Sequence, residues 1–228
     1  MSLTLYFHPL ASFCHKVLVA LYESEIPFQG RIIDLGNASD RAEMNALWPV
    51  GKFPVLRDDL RRRTVPESTV IIEYLCQHFA GAADLLPRNA EVRLDVRLWD
   101  RVFDWYVQTP MQKIVADHLR PEGERDRLGV ADARAMLLAT YDMLERQLAP
   151  GAWAVGERFT MADCAAMPAL FYASILEPLP KGHTRLADYF DRLMNRPSVR
   201  RTLDEARPYF PMFPFKDAIP ARFLSEGL

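Results

Sequence analysis

Cysteine is scarce in this chain: Cys14, Cys76 and Cys164 are the only three in 228 residues. They are too few and too scattered for a disulfide framework, and no two have zinc-finger spacing. The five histidines, His8, His15, His78, His118 and His183, are just as dispersed and form no HExxH-like pair, so no metal site is expected. An excess of one charge sign is also missing, since 28 Lys and Arg stand against 30 Asp and Glu with the signs interleaved. Arg61-Arg62-Arg63 follows Asp58-Asp59 and reads as a solvated hairpin turn, which leaves no basic face for nucleic acid or an anionic membrane. The start, Met1-Ser2-Leu3-Thr4, has neither a basic region nor a long apolar run. No secretory signal or transmembrane span is read there, and a cytoplasmic protein is expected.

Half of the residues are apolar and a quarter charged, an ordinary globular composition. Leu3 to Phe7 reads as a first strand ended by His8-Pro9, and Ser12 opens a helix in which Phe13, Val17, Ala20 and Leu21 share a face up to about Ser24. Phe28 to Leu35 reads as a second strand, and Ala38 to Leu47 as a short helix. A strand through Phe53 to Leu56, a partner near Arg62 to Val65 and a helix from Glu67 complete a βαβ unit followed by ββα. That order predicts a small mixed sheet with helices on both faces.

The periodicity breaks over Ala80 to Pro87, and everything after it looks helical. The expected organisation is an α/β domain over residues 1–79, a linker over 80–90 and an all-helical domain over 91–228. Glu91 to His118 carries Leu94, Leu98, Val102, Trp105 and Tyr106 on one side. Pro110 is predicted to kink that helix, because it removes a donor and crowds the Tyr106 carbonyl. Leu137, Tyr141, Leu144 and Leu148 fall at helical spacing and read as core. Thr160-Met161-Ala162-Asp163 before an apolar run is a capping box with Asp in place of Glu, for which loss of Asp163 should cost about 1 kcal/mol. Tyr209, Phe210, Phe213 and Phe215 lie in a proline-rich tail that cannot be a regular helix and must rest on something apolar.

The stretch from Trp48 to Leu75 carries the strongest functional signal. Pro49, Gly51 and Pro54 bar a helix, so Phe53 enters a strand with backbone groups that the sheet need not use. Pro66-Glu67-Ser68 then opens a helix whose free N–H groups suit a carboxylate. A loop lysine, a strand-edge backbone and an acidic helix mouth could together hold a small zwitterionic peptide. The run Pro49-Val50-Gly51-Lys52-Phe53-Pro54, followed by Glu67-Ser68 and a helix ending Glu73-Tyr74-Leu75, resembles the glutathione-binding half of the cytosolic glutathione transferases. That resemblance implies a thioredoxin-like domain with a cis Pro54 bond, followed by a helical-bundle domain, and usually a homodimer. It further implies that the Phe53 backbone pairs with the cysteinyl part of glutathione. Ser68 would hold the γ-glutamyl carboxylate, Glu67 its ammonium and Lys52 the glycyl carboxylate.

The turn Ala11-Ser12-Phe13-Cys14 occupies the place of a thioredoxin Cys-x-x-Cys and keeps only its last sulfur, so the reacting thiol must come from glutathione. A thiol of pKa about 8.5 is only about 3% ionised at pH 7, and lowering that pKa by two units takes about 2.7 kcal/mol. A hydroxyl hydrogen bond to the anion supplies roughly 1.5–3 kcal/mol and a helix N-terminus roughly 0.3–1 kcal/mol. Ser12 is the candidate hydroxyl, displaced by one residue from the serine-type pattern, which falls on Ala11. Tyr6 is the alternative, with Phe7 at the place that tyrosine-type members use. The resemblance places a hydrophobic electrophile between Pro9, Leu10, Tyr106, Met111 and Phe213. Glutathione-dependent isomerisation, disulfide reduction and a non-catalytic glutathione-binding module are the competing expectations.

Overall fold

Leu3, Leu5 and Phe7 of β1 (Leu3–Phe7) are buried and alternate with Thr4 and Tyr6, as a strand between two helical layers requires. The computed structural model describes residues 2–149 and 152–225, with the side chain of Ala83 excepted. Met1 and residues 226–228, the outer ends of the expected domains, lie outside the described residues. β1 pairs in parallel with β2 (Gln29–Ile32) and antiparallel with β3 (Val55–Asp58), which pairs antiparallel with β4 (Arg63–Pro66), giving a four-stranded sheet of order β2-β1-β3-β4. β2 is shorter than the expected Phe28 to Leu35, although the Ile33 amide still donates to the Phe7 carbonyl.

Helices α1 (Ser12–Glu23) and α3 (Ser68–His78) cover one face of the sheet and α2 (Ala38–Leu47) the other, where Ile33, Met44 and Val55 form a small separate core. The N-terminal half is thus thioredoxin-like. A short 3₁₀ segment, Ala80–Leu85, leads into α4 (Ala90–Val102), a π-helical turn over Phe103–Gln108, and α5 (Thr109–His118). The helical half continues with α6 (Arg127–Gln147), α7 (Met161–Leu176), α8 (Thr184–Met194) and α9 (Pro197–Ala206). α7 is buried along nearly its whole length and packs on α1, so both halves share one continuous apolar core. Leu137, Tyr141, Leu144 and Leu148 belong to it.

Two expectations change form. The break before Pro110 is a wide π turn: Pro110 has no N–H for the Tyr106 carbonyl, which lies 3.2 Å from a Thr140 hydroxyl that it shares with the Met136 carbonyl at 2.8 Å. The stripe Leu94, Leu98, Trp105 and Tyr106 faces outward, 49–63% exposed, while Val96, Asp100, Phe103 and Val107 face the core. Helical spacing of apolar residues marks a face that wants covering, and does not say what covers it.

Lys16 of α1 has its side chain only 1% exposed. Its Nζ contacts Asp100 Oδ1 at 2.6 Å, Asp104 Oδ2 at 2.8 Å and Thr69 Oγ1 at 2.9 Å. Arg101 closes the group on both aspartates, so two cations face two anions across α1, α4 and the π turn, with Thr69 of α3 hydrogen-bonded into the group. Burial is what holds Asp104 above the usual carboxylate range, against the pull of Lys16.

Asp163 has a comparable role in the helical half. It accepts the amides of Thr160 and Ala154, both at 2.8 Å, and the Tyr189 hydroxyl at 2.7 Å, all within the core. Losing it strands several buried donors, each worth about 1–3 kcal/mol, so Asp163→Ala should cost about 3 kcal/mol or more instead of the 1 kcal/mol of a surface cap. Equilibrium urea unfolding of the two proteins checks this. Lys16→Met should cost about 3–5 kcal/mol, because it leaves a buried negative charge uncompensated. Adding Asp104→Asn should recover at least half of that loss in the same assay, since Arg101 and Asp100 then balance.

Candidate functional site

The mouth of α3 is set by strain and by ionic anchoring. Glu67, its N-cap, has φ of +69° and makes no capping hydrogen bond with its side chain. A left-handed non-glycine residue costs about 1–3 kcal/mol and recurs at ligand-holding positions. Next to it, Thr69 Oγ1 donates to Asp100 Oδ2 at 2.8 Å and accepts from Lys16, which ties this helix start to the helical half. Glu67 stays exposed and Ser68 is buried at the first turn, where amide N–H groups are free for an anion.

The opposite wall is the segment before β3. Trp48 to Gly51 form a turn closed by the Gly51 amide on the Trp48 carbonyl at 2.8 Å. Gly51 has φ of +67°, and a Cβ there would lie 2.7 Å from Asn45 Oδ1, so the turn requires glycine. It presents Lys52 to solvent and leaves Phe53 outside both strand ladders, which begin at Val55. The Phe53-Pro54 peptide bond is cis, in agreement with the resemblance.

Between the Lys52–Phe53 wall and the helical half lies a cavity of about 560 Å³, and Pro54, Glu67 and Ser68 are not among its lining residues. Ser12, Lys52, Phe53, Leu10, Met111 and Phe213 all line it. Pro9 and Tyr106 do not: Pro9 lies on a smaller groove beside Tyr209, and Tyr106 is half-exposed on the outer side of its helix. Tyr6 packs against the α2 layer, away from the cavity, where burial raises its hydroxyl pKa above the ordinary tyrosine value. Ser12 is the first residue of α1 and not its cap; Ala11 is the cap and has no hydroxyl to offer. Ser12 is 6% exposed, and its Oγ accepts a hydrogen bond from Gln108 Nε2.

The sequence reading missed several contributors. Tyr172 of α7, Val115 of α5 and Leu119 at its C-terminal cap add apolar wall to the cavity, with Met212 and Pro214 beside Phe213. A lysine in the otherwise apolar face of α1 and the pair Asp100 and Asp104 one helical turn apart were the available signals for the ion cluster. Nothing local marks Gln108. Cys14 is fully buried, and desolvation pushes its thiol far up, so it is no nucleophile. Among the described residues, no three His, Cys, Asp or Glu side chains gather as a metal site would require. Nor is any described helix long and apolar enough to cross a membrane.

This geometry has close parallels among known proteins. Residues 5–83 match the model of the glutathione S-transferase N-terminal domain, and residues 122–192 match that of the C-terminal domain. Glutathione S-transferase GstB of Escherichia coli is 28% identical over 196 residues, 82% of this chain and 91% of its own. Glutathione S-transferase F12 of Arabidopsis thaliana is 27% identical over 212 residues, 89% of this chain and 98% of its own. The crystal structure of a glutathione S-transferase from Methylobacillus flagellatus with glutathione bound superposes with a TM-score of 0.79 at 26% identity, covering 88% of this chain and 98% of that one. With both domain types matched in order, over a thioredoxin-like half joined to a helical one, the chain belongs to the glutathione S-transferase family.

Proposed function

We propose that the chain is a glutathione transferase that ionises the glutathione thiol beside Ser12 and directs it at the electrophilic carbon of a small hydrophobic substrate. The observation that carries this reading is the position of Ser12: a buried hydroxyl at a helix N-terminus, opening on an apolar cavity next to Lys52 and Phe53. A cavity of about 560 Å³ suits a small molecule, and its apolar walls favour a hydrophobic one. In this reading Lys52 pairs with the glycyl carboxylate, the Phe53 backbone with the cysteinyl amide, and Ser68 and Glu67 with the γ-glutamyl end. The hydroxyl and the helix mouth together offset the roughly 2.7 kcal/mol needed to bring the thiol pKa down by about two units. Disulfide reduction through a protein thiol finds no support in the inert Cys14. Three cysteines without disulfide bonds and a need for free glutathione fit a reducing cytosol.

The thiolate should add to an electrophilic carbon and displace a leaving group such as chloride, with the thiol proton passing to solvent. Ultraviolet titration of bound glutathione should give a thiol pKa of about 6.5 in the wild type, and kcat/KM should rise with pH through that value. Ser12→Ala should raise the bound thiol pKa by about 1–2 units and lower turnover of a chlorinated aromatic about 10- to 100-fold at neutral pH, whereas Tyr6→Phe should leave the pKa in place. An unchanged pKa in Ser12→Ala would remove Ser12 from the role.

A homodimer belongs to the same reading. Val70 of α3, Leu94 and Leu98 of α4 and Trp105 of the π turn are 50–63% exposed on neighbouring elements, and the Arg97–Glu73 ion pair at 2.7 Å joins α4 to α3. Such a face is best covered by its own copy across a two-fold axis. Sedimentation should show a dimer for the wild type and a monomer for Leu94→Glu with Leu98→Glu.

A further inference from the structure

Ser12 Oγ does not stand alone at the cavity wall. Gln108 closes the π turn, 96 residues further along the chain, and is only 2% exposed. Its Nε2 donates to Ser12 Oγ, while its Oε1 is buried with no hydrogen-bond partner among the described residues. Leaving an amide oxygen unsatisfied in the core is costly, so this arrangement calls for a reason beyond packing. The backbone around it is also unusual: a π turn carries one residue more than an α turn and rotates the downstream helix by about 100°, and such turns recur at functional sites.

A serine hydroxyl has one proton and two lone pairs. With the Gln108 N–H directed into a lone pair, the Ser12 proton has to point elsewhere, and the cavity is where a sulfur would meet it. We propose that Gln108 is a positioning residue: its amide occupies the acceptor side of Ser12 Oγ and so aims the Ser12 proton at the glutathione sulfur. The proposal rests on the reading of Ser12 given above. Gln108 itself touches neither sulfur nor electrophile. A glutamine suits the task because it neither titrates nor loses its donor at any pH at which the protein is folded. A glutamate in its place would accept the Ser12 proton and withdraw it from the sulfur.

The test is the ultraviolet titration of bound glutathione in the wild type, Ser12→Ala, Gln108→Met, Gln108→Asn and the double variant Ser12→Ala with Gln108→Met. Gln108→Met keeps the volume and removes the donor, and it should raise the bound thiol pKa by about 0.5–1 unit and lower kcat about 3- to 10-fold at neutral pH. KM for glutathione should stay within about twofold, because a positioning residue acts on the ionised state and not on the grip. Gln108→Asn, which withdraws the amide by one carbon, should shift the pKa in the same direction and serves if the methionine variant does not fold. The double variant should match Ser12→Ala, since the effect runs through that hydroxyl. If Ser12→Ala moves the pKa but both Gln108 variants stay at the wild-type value, this inference is overturned while the role of Ser12 stands. If the Gln108 variants lower the pKa, the amide faces the other way, accepts the Ser12 proton, and the inference is equally overturned. If Ser12→Ala itself moves nothing, the reading beneath it fails, and this inference with it.

Discussion

Helix α1 is held by two different kinds of force, and the rest of the molecule is arranged around that need. Along its length it packs on α7, α9 and α3, with Val17, Leu18, Val19, Ala20 and Leu21 all buried. That apolar seam is strong but not directional. Lys16 supplies direction, because its ammonium can satisfy Asp100, Asp104 and Thr69 together in only one rotation of the helix. The same cluster pins the start of α3, so one buried ion group sets both helix mouths of the site relative to α4. Neutrality matters here: Arg101 completes the balance, and without it the aspartates would carry an uncompensated charge in low dielectric.

The site's chemistry follows from placing few polar groups in an apolar wall. Ser12 opens on the cavity, Lys52 stands exposed at its rim, and α5, α7 and the tail provide Met111, Tyr172 and Phe213. A hydrogen bond to an anion is worth more where water is excluded, which is why the proposed reading asks only one hydroxyl and one helix mouth to hold a thiolate. The strained Glu67 and the glycine-dependent turn before Lys52 are the backbone costs of keeping these groups at fixed separation, and the packed core of both halves absorbs them.

Much of the fold was legible in the chain because its causes are local. The alternation of Leu3, Leu5 and Phe7, the prolines around Phe53 and the Thr160 to Asp163 cap each signal their structure within a few residues, and the observed elements follow them. Where the reading went astray, a distant partner was responsible. The stripe from Leu94 to Tyr106 has the right spacing for a buried face, yet the core takes the other side of α4, because Asp100 and Asp104 must reach Lys16. Tyr106 therefore turns outward, and Pro9 falls on a separate groove. The capping box was visible, but its burial beneath Tyr189 was not.

Taken alone, the order of residues from Trp48 to Ser68 was enough to set the local geometry on which the proposed tripeptide grip rests, since a turn, a strand edge and a helix mouth depend on close neighbours in the chain. Which of two hydroxyls opens on the cavity, and which side chain from the helical half sits behind it, depended on folding. Ser12 and Gln108 are 96 positions apart, and only the packing of α1 against the helical half and the wide turn before Pro110 bring their side chains together. Contacts of that kind leave no mark on local composition, because each partner's residue type is common and its meaning comes from the other.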